Sequence, residues 1–294
     1  MITMISTQQQ RKSKTELVLT NIYNLPPIPK IITEVLKMIE NEKTSTTELS
    51  KVISKDQGLV TKILTIANSP LYGLQRKVTT IDFAVMILGY SELRSIVSVL
   101  SMIESFRNKT DNYLDQKEFW IHSFLTGTAT KRIAEDLGFS NSGEAFIVGF
   151  LHEMGVSVMH RYLHSNFMTI CDLVNTKGYT YPEAEMEVLG MNHQQIGNFL
   201  MERWNFPSTL SQAVLNHHTP TENSSNVILP SLIHLADVMT KTLQIGNFKW
   251  DDHLVMDVNA VKALGFHFED DVEKFISRYG ELFSKQLEAI RHIS

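Results

Sequence analysis

Apolar residues recur along this chain every three to four positions, and nowhere convincingly every two. Ile31, Ile32, Val35, Leu36 and Ile39 share one face of a helix. Ser45 and Glu48 have capping-box spacing and open a second helix with Leu49, Val52 and Ile53 inward. A third carries Leu59, Val60, Ile63, Leu64 and Ala67. It stops near Pro70, because a proline disfavours helical geometry in its predecessor. Two more follow, from about Thr79 to Gly89 and from Leu93 to Phe106.

The second half continues in the same period. A helix from Gln116 to Leu137 closes at Gly138, a C-cap glycine. The apolar run from Ala145 ends in His152, Glu153 and Gly155. Helices follow around Phe167–Asn175, from Glu183 to Leu189 behind Pro182, and from a cap near Asn192 through Trp204. Another starts at Pro207 and ends near His217 and His218. The helix Leu232–Leu243 comes next, and the tail from Glu269 to Ile293 reads as one long amphipathic helix or two short ones. With no strand pattern, the expected fold class is all-α. The polar stretch Asn108–Asn112 reads as a linker. This gives a flexible N-terminus over 1–20, an N-terminal helical lobe over 21–110, and a second lobe with C-terminal helices over 111–294. The lobes are expected to pack together near Arg107 to Asp115, and Leu25–Pro29 is expected to be an extended entry.

Composition narrows the function. The chain has 294 residues, enough for a sizeable core, and its net charge of -5 speaks against a general nucleic-acid binder. The first twenty residues lack a signal-peptide core, and no apolar run approaches the roughly 20 residues of a membrane span. The expectation is a soluble, cytoplasmic protein with no membrane partner. A single cysteine, Cys171, excludes an intramolecular disulfide and any Cys-rich zinc site, whereas there are eleven histidines.

Those histidines and a few carboxylates are the candidate chemistry. Glu118 and His122 lie four apart on one helix face. His152 and Glu153 sit side by side at the end of a buried run, where polar groups need a partner or a metal. His193, His217 and His218 follow, and Asp237 lies in an otherwise apolar helix, with His234 nearby as a lesser candidate. The expectation is that Glu118, His122, His152, Glu153, His193, His217, His218 and Asp237 converge in one cavity of the second lobe. Imidazoles mixed with carboxylates suit one or two divalent ions of iron, manganese or zinc better than calcium. Glu153 is placed to bridge two ions. The competing expectation is a metal-free hydrogen-bonded network of the same side chains.

The order His122, His152-Glu153, Asp237 resembles the His…His-Asp…Asp signature of HD metal-dependent phosphohydrolases. Glu118, His193, His217 and His218 resemble the extra ligands of the HD-GYP phosphodiesterase branch. Leu25-Pro-Pro-Ile-Pro29, Asp56, Ala67-Asn-Ser69, Leu71-Tyr-Gly73, Ala84 with Leu88-Gly89, Trp120-Ile-His122 and Phe150-Leu-His-Glu-Met-Gly155 together resemble an HDOD domain, an HD-related output domain of bacterial signalling proteins. The resemblance covers roughly Leu25 to Thr240. It implies a regulatory module that acts mainly through other signalling or regulatory proteins. Three departures weigh against hydrolysis of cyclic dinucleotides. Glu153 replaces the signature aspartate, no Gly-Tyr-Pro segment follows His218, and Val156 stands where the phosphodiesterase branch carries a phosphate-binding lysine. The alternative is a metal-dependent phosphohydrolase acting on a phosphorylated small molecule, in line with the retained histidines.

Overall fold

The computed structural model describes residues 2–22, 30–41, 43–72, 74, 76–106, 108, 110–140, 142–222, 226–250 and 252–291. Among them there is no strand, and the fold is all-α. The entry expected at Leu25–Pro29 lies outside the described residues, as does Gly73.

The first surprise is at the N-terminus. The segment expected to be flexible over 1–20 is a helix, α1 (Ile2–Thr20), carrying the polar run from Gln8 to Lys14. That run has no apolar stripe to betray it, and Gln, Arg and Lys are good helix formers. The helix is held from outside. Arg11 pairs with Glu187 at 2.9 Å and the Thr15 hydroxyl donates to the Leu189 carbonyl at 2.8 Å.

Helices α2 (Lys30–Glu40), α3 (Thr46–Ile53), α4 (Gln57–Ala67) and α5 (Ile81–Phe106) build the first lobe. Ser45 and Glu48 form the expected capping box, and Asp56 caps α4 through the Leu59 N–H. The two helices expected on either side of residue 90 abut as α5, broken at Gly89, where φ is 73° and ψ 169°. Only glycine adopts that conformation without strain. Because the two run on, Ile81–Ser101 is long and apolar enough to cross a membrane by length and composition, which the sequence did not suggest when read as two helices. Its apolar side packs on α2, α3 and α4 instead, burying Ile96, Val97 and Leu100.

The second lobe contains α6 (Gln116–Asp136), α7 (Ser142–Leu151), α8 (Met154–Tyr162), α9 (His164–Lys177), α10 (Tyr181–Leu189), α11 (His193–Arg203), α12 (Ser208–Leu215) and α13 (Ile228–Thr242). Short α14 (Val258–Ala263) escaped the sequence reading, and the tail is two helices, α15 (Glu269–Ser277) and α16 (Gly280–Ile290). The lobes touch well beyond the linker. α5 packs on α7 and α8, α16 on α4 and on the short 3-10 turn Pro70–Tyr72, and α1 on α10. One continuous apolar core results.

Candidate metal centre

Five stretches of the second lobe converge. α6 presents His122. α7 ends at Leu151 and α8 starts at Met154, so His152 and Glu153 form the tight turn between them. His193 opens α11, His217 and His218 follow α12, and Asp237 lies in α13. Gly155 allows this approach: a Cβ there would stand 2.1 Å from the His193 carbonyl oxygen. Any side chain would push α8 off α11.

The donors fall into two adjoining groups, each with its ligand atoms within 4.8 Å of one another. The first is His122, His152 and Asp237. His122 Nε2 lies 3.3 Å from His152 Nε2 and 3.4 Å from Asp237 Oδ1, and His152 Nε2 lies 3.9 Å from that oxygen. The second is Glu153, His193, His217 and His218, with Glu153 Oε2 3.6 Å from His193 Nε2. Glu153 connects the two, since its other oxygen is 3.9 Å from His152 Nε2.

The backs of these side chains are anchored. His152 Nδ1 donates to the Gly149 carbonyl at 2.7 Å and His217 Nδ1 to the Val214 carbonyl at 2.6 Å. His193 Nδ1 donates to the Glu185 carboxylate at 2.9 Å. Lys241 Nζ donates to Asp237 Oδ2 at 2.9 Å, so Oδ1 faces the histidines. Three rings are thus fixed with Nε2 inward, the outer-shell pattern of metal-binding histidines. Burial drives the His152 imidazolium out, lowering its pKa to about 3, with the Asp237 charge opposing and His122 assisting. Burial and then His218, His152 and His193 hold His217 well below the usual range. Both are neutral at pH 7, with lone pairs available.

The spacing bears on both expectations. Donors bound to a common ion at about 2.1 Å sit roughly 3.0 Å apart at right angles and roughly 3.4 Å at tetrahedral angles. Ordinary N–H···O bonds span about 2.7–3.2 Å. The inward atoms are 3.3–3.9 Å apart, and His217 Nε2 is buried without a hydrogen-bond partner among the described residues. Each of the two groups has the ligand types and the proximity to hold a metal ion.

Of the eight expected residues, Glu118 stands outside both groups. Its carboxylate accepts the Asn247 N–H at 2.9 Å, one helical turn short of His122. His234 is committed elsewhere, donating through Nδ1 to the His217 carbonyl and accepting the Asp257 N–H at Nε2, both at 2.9 Å. Glu185 was missed. It is fully buried and accepts from the backbone and ring of His193 and from the Trp250 indole at 2.7 Å. Its one local signal is slight: Glu185 lies four residues before buried Leu189 on one helix face, between the exposed acids Glu183 and Glu187.

Residues 243–250 lie against the centre. Phe248 packs on the His122 ring at 4.9 Å, and Trp250 stacks between Tyr181 and Phe167. A cavity of about 390 Å³ opens beside His122, lined by Lys241, Asn247, Lys249 and Asp252.

An all-helical fold with imidazoles and carboxylates gathered inside one lobe defines an HD-like domain. The HDOD domain family matches residues 25–220, and the chain belongs to it. An HDOD domain protein of unknown function from Geobacter sulfurreducens has a similar fold, with a TM-score of 0.77 at 21% identity, covering 97% of this chain and 99% of that one. A structure described as a candidate phosphohydrolase, from Shewanella amazonensis SB2B, has a TM-score of 0.70 at 22% identity, covering 93% and 98%. One described as a candidate signal transduction protein, from Marinobacter aquaeolei VT8, has a TM-score of 0.68 at 18% identity, covering 96% and 66%. A relative in Treponema pallidum (strain Nichols), itself uncharacterized, is 23% identical over 215 residues, 73% of this chain; the match spans 41% of that relative's length.

Proposed function

We propose that this protein is a signalling module of the HDOD type that holds a pair of divalent transition-metal ions and acts through other regulatory proteins. The observation that carries this is the convergence of His122, His152 and Asp237 beside Glu153, His193, His217 and His218, with the Nδ1 atoms of His152, His193 and His217 anchored from behind. His122, His152 and Asp237 would hold one ion, the two α12-end histidines with His193 the other, and Glu153 would touch both. The ions would supply positive charge that stabilises buried carboxylates and locks α6, α8, α11 and α13 together. That chemistry shapes the lobe a partner meets. The likeness to a candidate signal transduction protein supports the same reading.

A second reading has its own observation. The cavity beside His122 is also lined by Lys249 and by Lys241, whose ammonium donates to Asp237. Ions in the centre would there supply Lewis-acid stabilisation of a phosphate. Against it, His152, Glu153, His193, His217 and Asp237 have no exposed surface. Among the described donors, His122 lines one cavity and His218 another.

Elemental analysis of the purified protein, paired with an assay on cyclic dinucleotides in Mn²⁺ or Fe²⁺, tests both readings. The expected result is two equivalents of metal and no turnover. A rate of about 1 s⁻¹, ordinary for an enzyme, would establish the second reading and remove the first. Metal-free protein that stays metal-free after reconstitution would remove both.

A further inference from the structure

A third group of donors lies away from the centre, where the linker between the lobes meets the joint of α8 and α9. Asp111, on the linker, points Oδ2 at two histidines. His160 Nε2 is 2.9 Å away and His164 Nε2 3.4 Å. The two histidines are four apart across the α8–α9 joint, with rings 5.2 Å apart and nearly perpendicular. His160 lies seven residues beyond Glu153, roughly 10 Å along the helix axis at 1.5 Å per residue.

Two of the three donors are held in place from behind. Asp111 Oδ1 accepts the N–H groups of Tyr113 at 2.8 Å and Leu114 at 2.9 Å, so Oδ2 is the oxygen left to face the histidines. Phe167 packs edge-on against His160 at 5.0 Å. Behind the ring, Nδ1 of His160 meets the Gln116 and Asn108 side-chain amides, each at 3.1 Å.

The Gln116 amide is informative. The residue is 5% exposed, and its Oε1 is buried without a hydrogen-bond partner while its NH₂ faces the ring. Amide oxygen and nitrogen have the same shape. Turned over, together with the Asn108 amide that meets the same nitrogen, the amide offers its oxygen to a proton on His160 Nδ1. That tautomer leaves the Nε2 lone pair facing Asp111 Oδ2, where no proton remains to bridge them. A cation between them satisfies both, and it satisfies Gln116 as the outer-shell acceptor of a ligating histidine.

The spacing of His164 agrees with this. Donors on one ion at about 2.1 Å are roughly 3.0–3.4 Å apart, against 2.9 Å and 3.4 Å here. The 3.4 Å separation of His164 is too long for an ordinary hydrogen bond, yet its nitrogen faces the same oxygen.

We infer that Asp111, His160 and His164 form a second, exchangeable divalent-cation site of the zinc class, separate from the buried centre. Two imidazoles and one carboxylate leave a fourth position open to water. His164 is 46% and Asp111 30% exposed at the side chain, so an ion reaches this site from solvent without any part of the fold opening. Bound there, it pins the linker between the lobes to the α8–α9 joint. This site stands or falls independently of the buried centre, with which it shares no side chain.

The test uses the full chain stripped by chelation, then titrated with Zn²⁺ against a chromophoric zinc indicator, with zinc counted after desalting. Wild-type protein is expected to bind one equivalent more than His164→Ala or Asp111→Asn, or to bind that equivalent roughly tenfold or more tightly. His193→Ala, which damages only the buried centre, is expected to keep that equivalent. Far-UV circular dichroism establishes that each variant is folded. Identical zinc number and affinity in wild type, His164→Ala and Asp111→Asn overturns the inference, whatever the buried centre does.

Discussion

The two lobes solve burial in opposite ways. In the first, α2 to α5 close over Ile32, Val35, Leu49, Ile53, Ile63, Ile66, Ile96 and Val97, and the side chains buried with them are apolar or hydroxyl-bearing. In the second, His152, Glu153, Glu185, His193, His217, His234 and Asp237 have no exposed surface at all. An apolar interior gains stability from leaving water. A buried ionisable group loses by it and must recover the loss through partners. The interior of α2 to α5 therefore carries no buried charge that needs a partner, whereas the buried ionisable groups of the second half do.

That contrast gives the largest expected effect. Saturating divalent metal at about a thousandfold over Kd adds about 4 kcal/mol to a folded state that alone binds it. In denaturant unfolding this stabilisation is expected in wild type and lost in Asp237→Ala. Ile63→Ala, in the other lobe, is expected to cost about 3 kcal/mol by the same amount with and without metal. A metal-dependent cost at Ile63 would break the comparison.

Glu185→Gln sharpens it. The amide keeps the shape but not the charge that orients His193. Metal affinity is expected to fall by roughly tenfold to a hundredfold, read by competition with a chromophoric chelator, while fold and metal number stay unchanged.

Per pH unit, a smaller effect is expected in the chelated protein. His152 is held at about pKa 3 by burial, against 6.5 for an ordinary histidine. The unfolded chain takes up a proton first as the pH falls, so stability drops with falling pH between about 6.5 and 3. The slope is about 1.4 kcal/mol per pH unit for each such histidine. A stability that rises on acidification would contradict the burial of neutral imidazole. Smallest of all, Glu118→Ala is expected to cost about 1 kcal/mol through the lost Asn247 contact, with metal number unaltered.

Much of the first lobe was legible because helical periodicity and capping residues report local geometry. Ser45 with Glu48 and the stop at Pro70 needed no tertiary information. Seven of the eight candidate donors also come together, because their order matched a known signature. What escaped depends on contacts far away in sequence. α1 is polar along its middle and gains its anchors, Glu187 and Leu189, from α10. Glu118 shares a helix face with His122, yet the Asn247 N–H claims its carboxylate. Glu185 sits in an acidic run that reads as solvent-facing until Trp250 and His193 are placed against it. The donors at the lobe junction were hidden likewise, since 49 residues separate Asp111 from His160.

The Trp250 indole is wedged between Tyr181 and Phe167 and tied by its N–H to the carboxylate that orients His193. Leaving that slot means unstacking two rings and freeing a buried acid together. That coupling closes the Trp250 side of the centre, so an ion would enter and leave past His122 or His218, the two donors that line cavities.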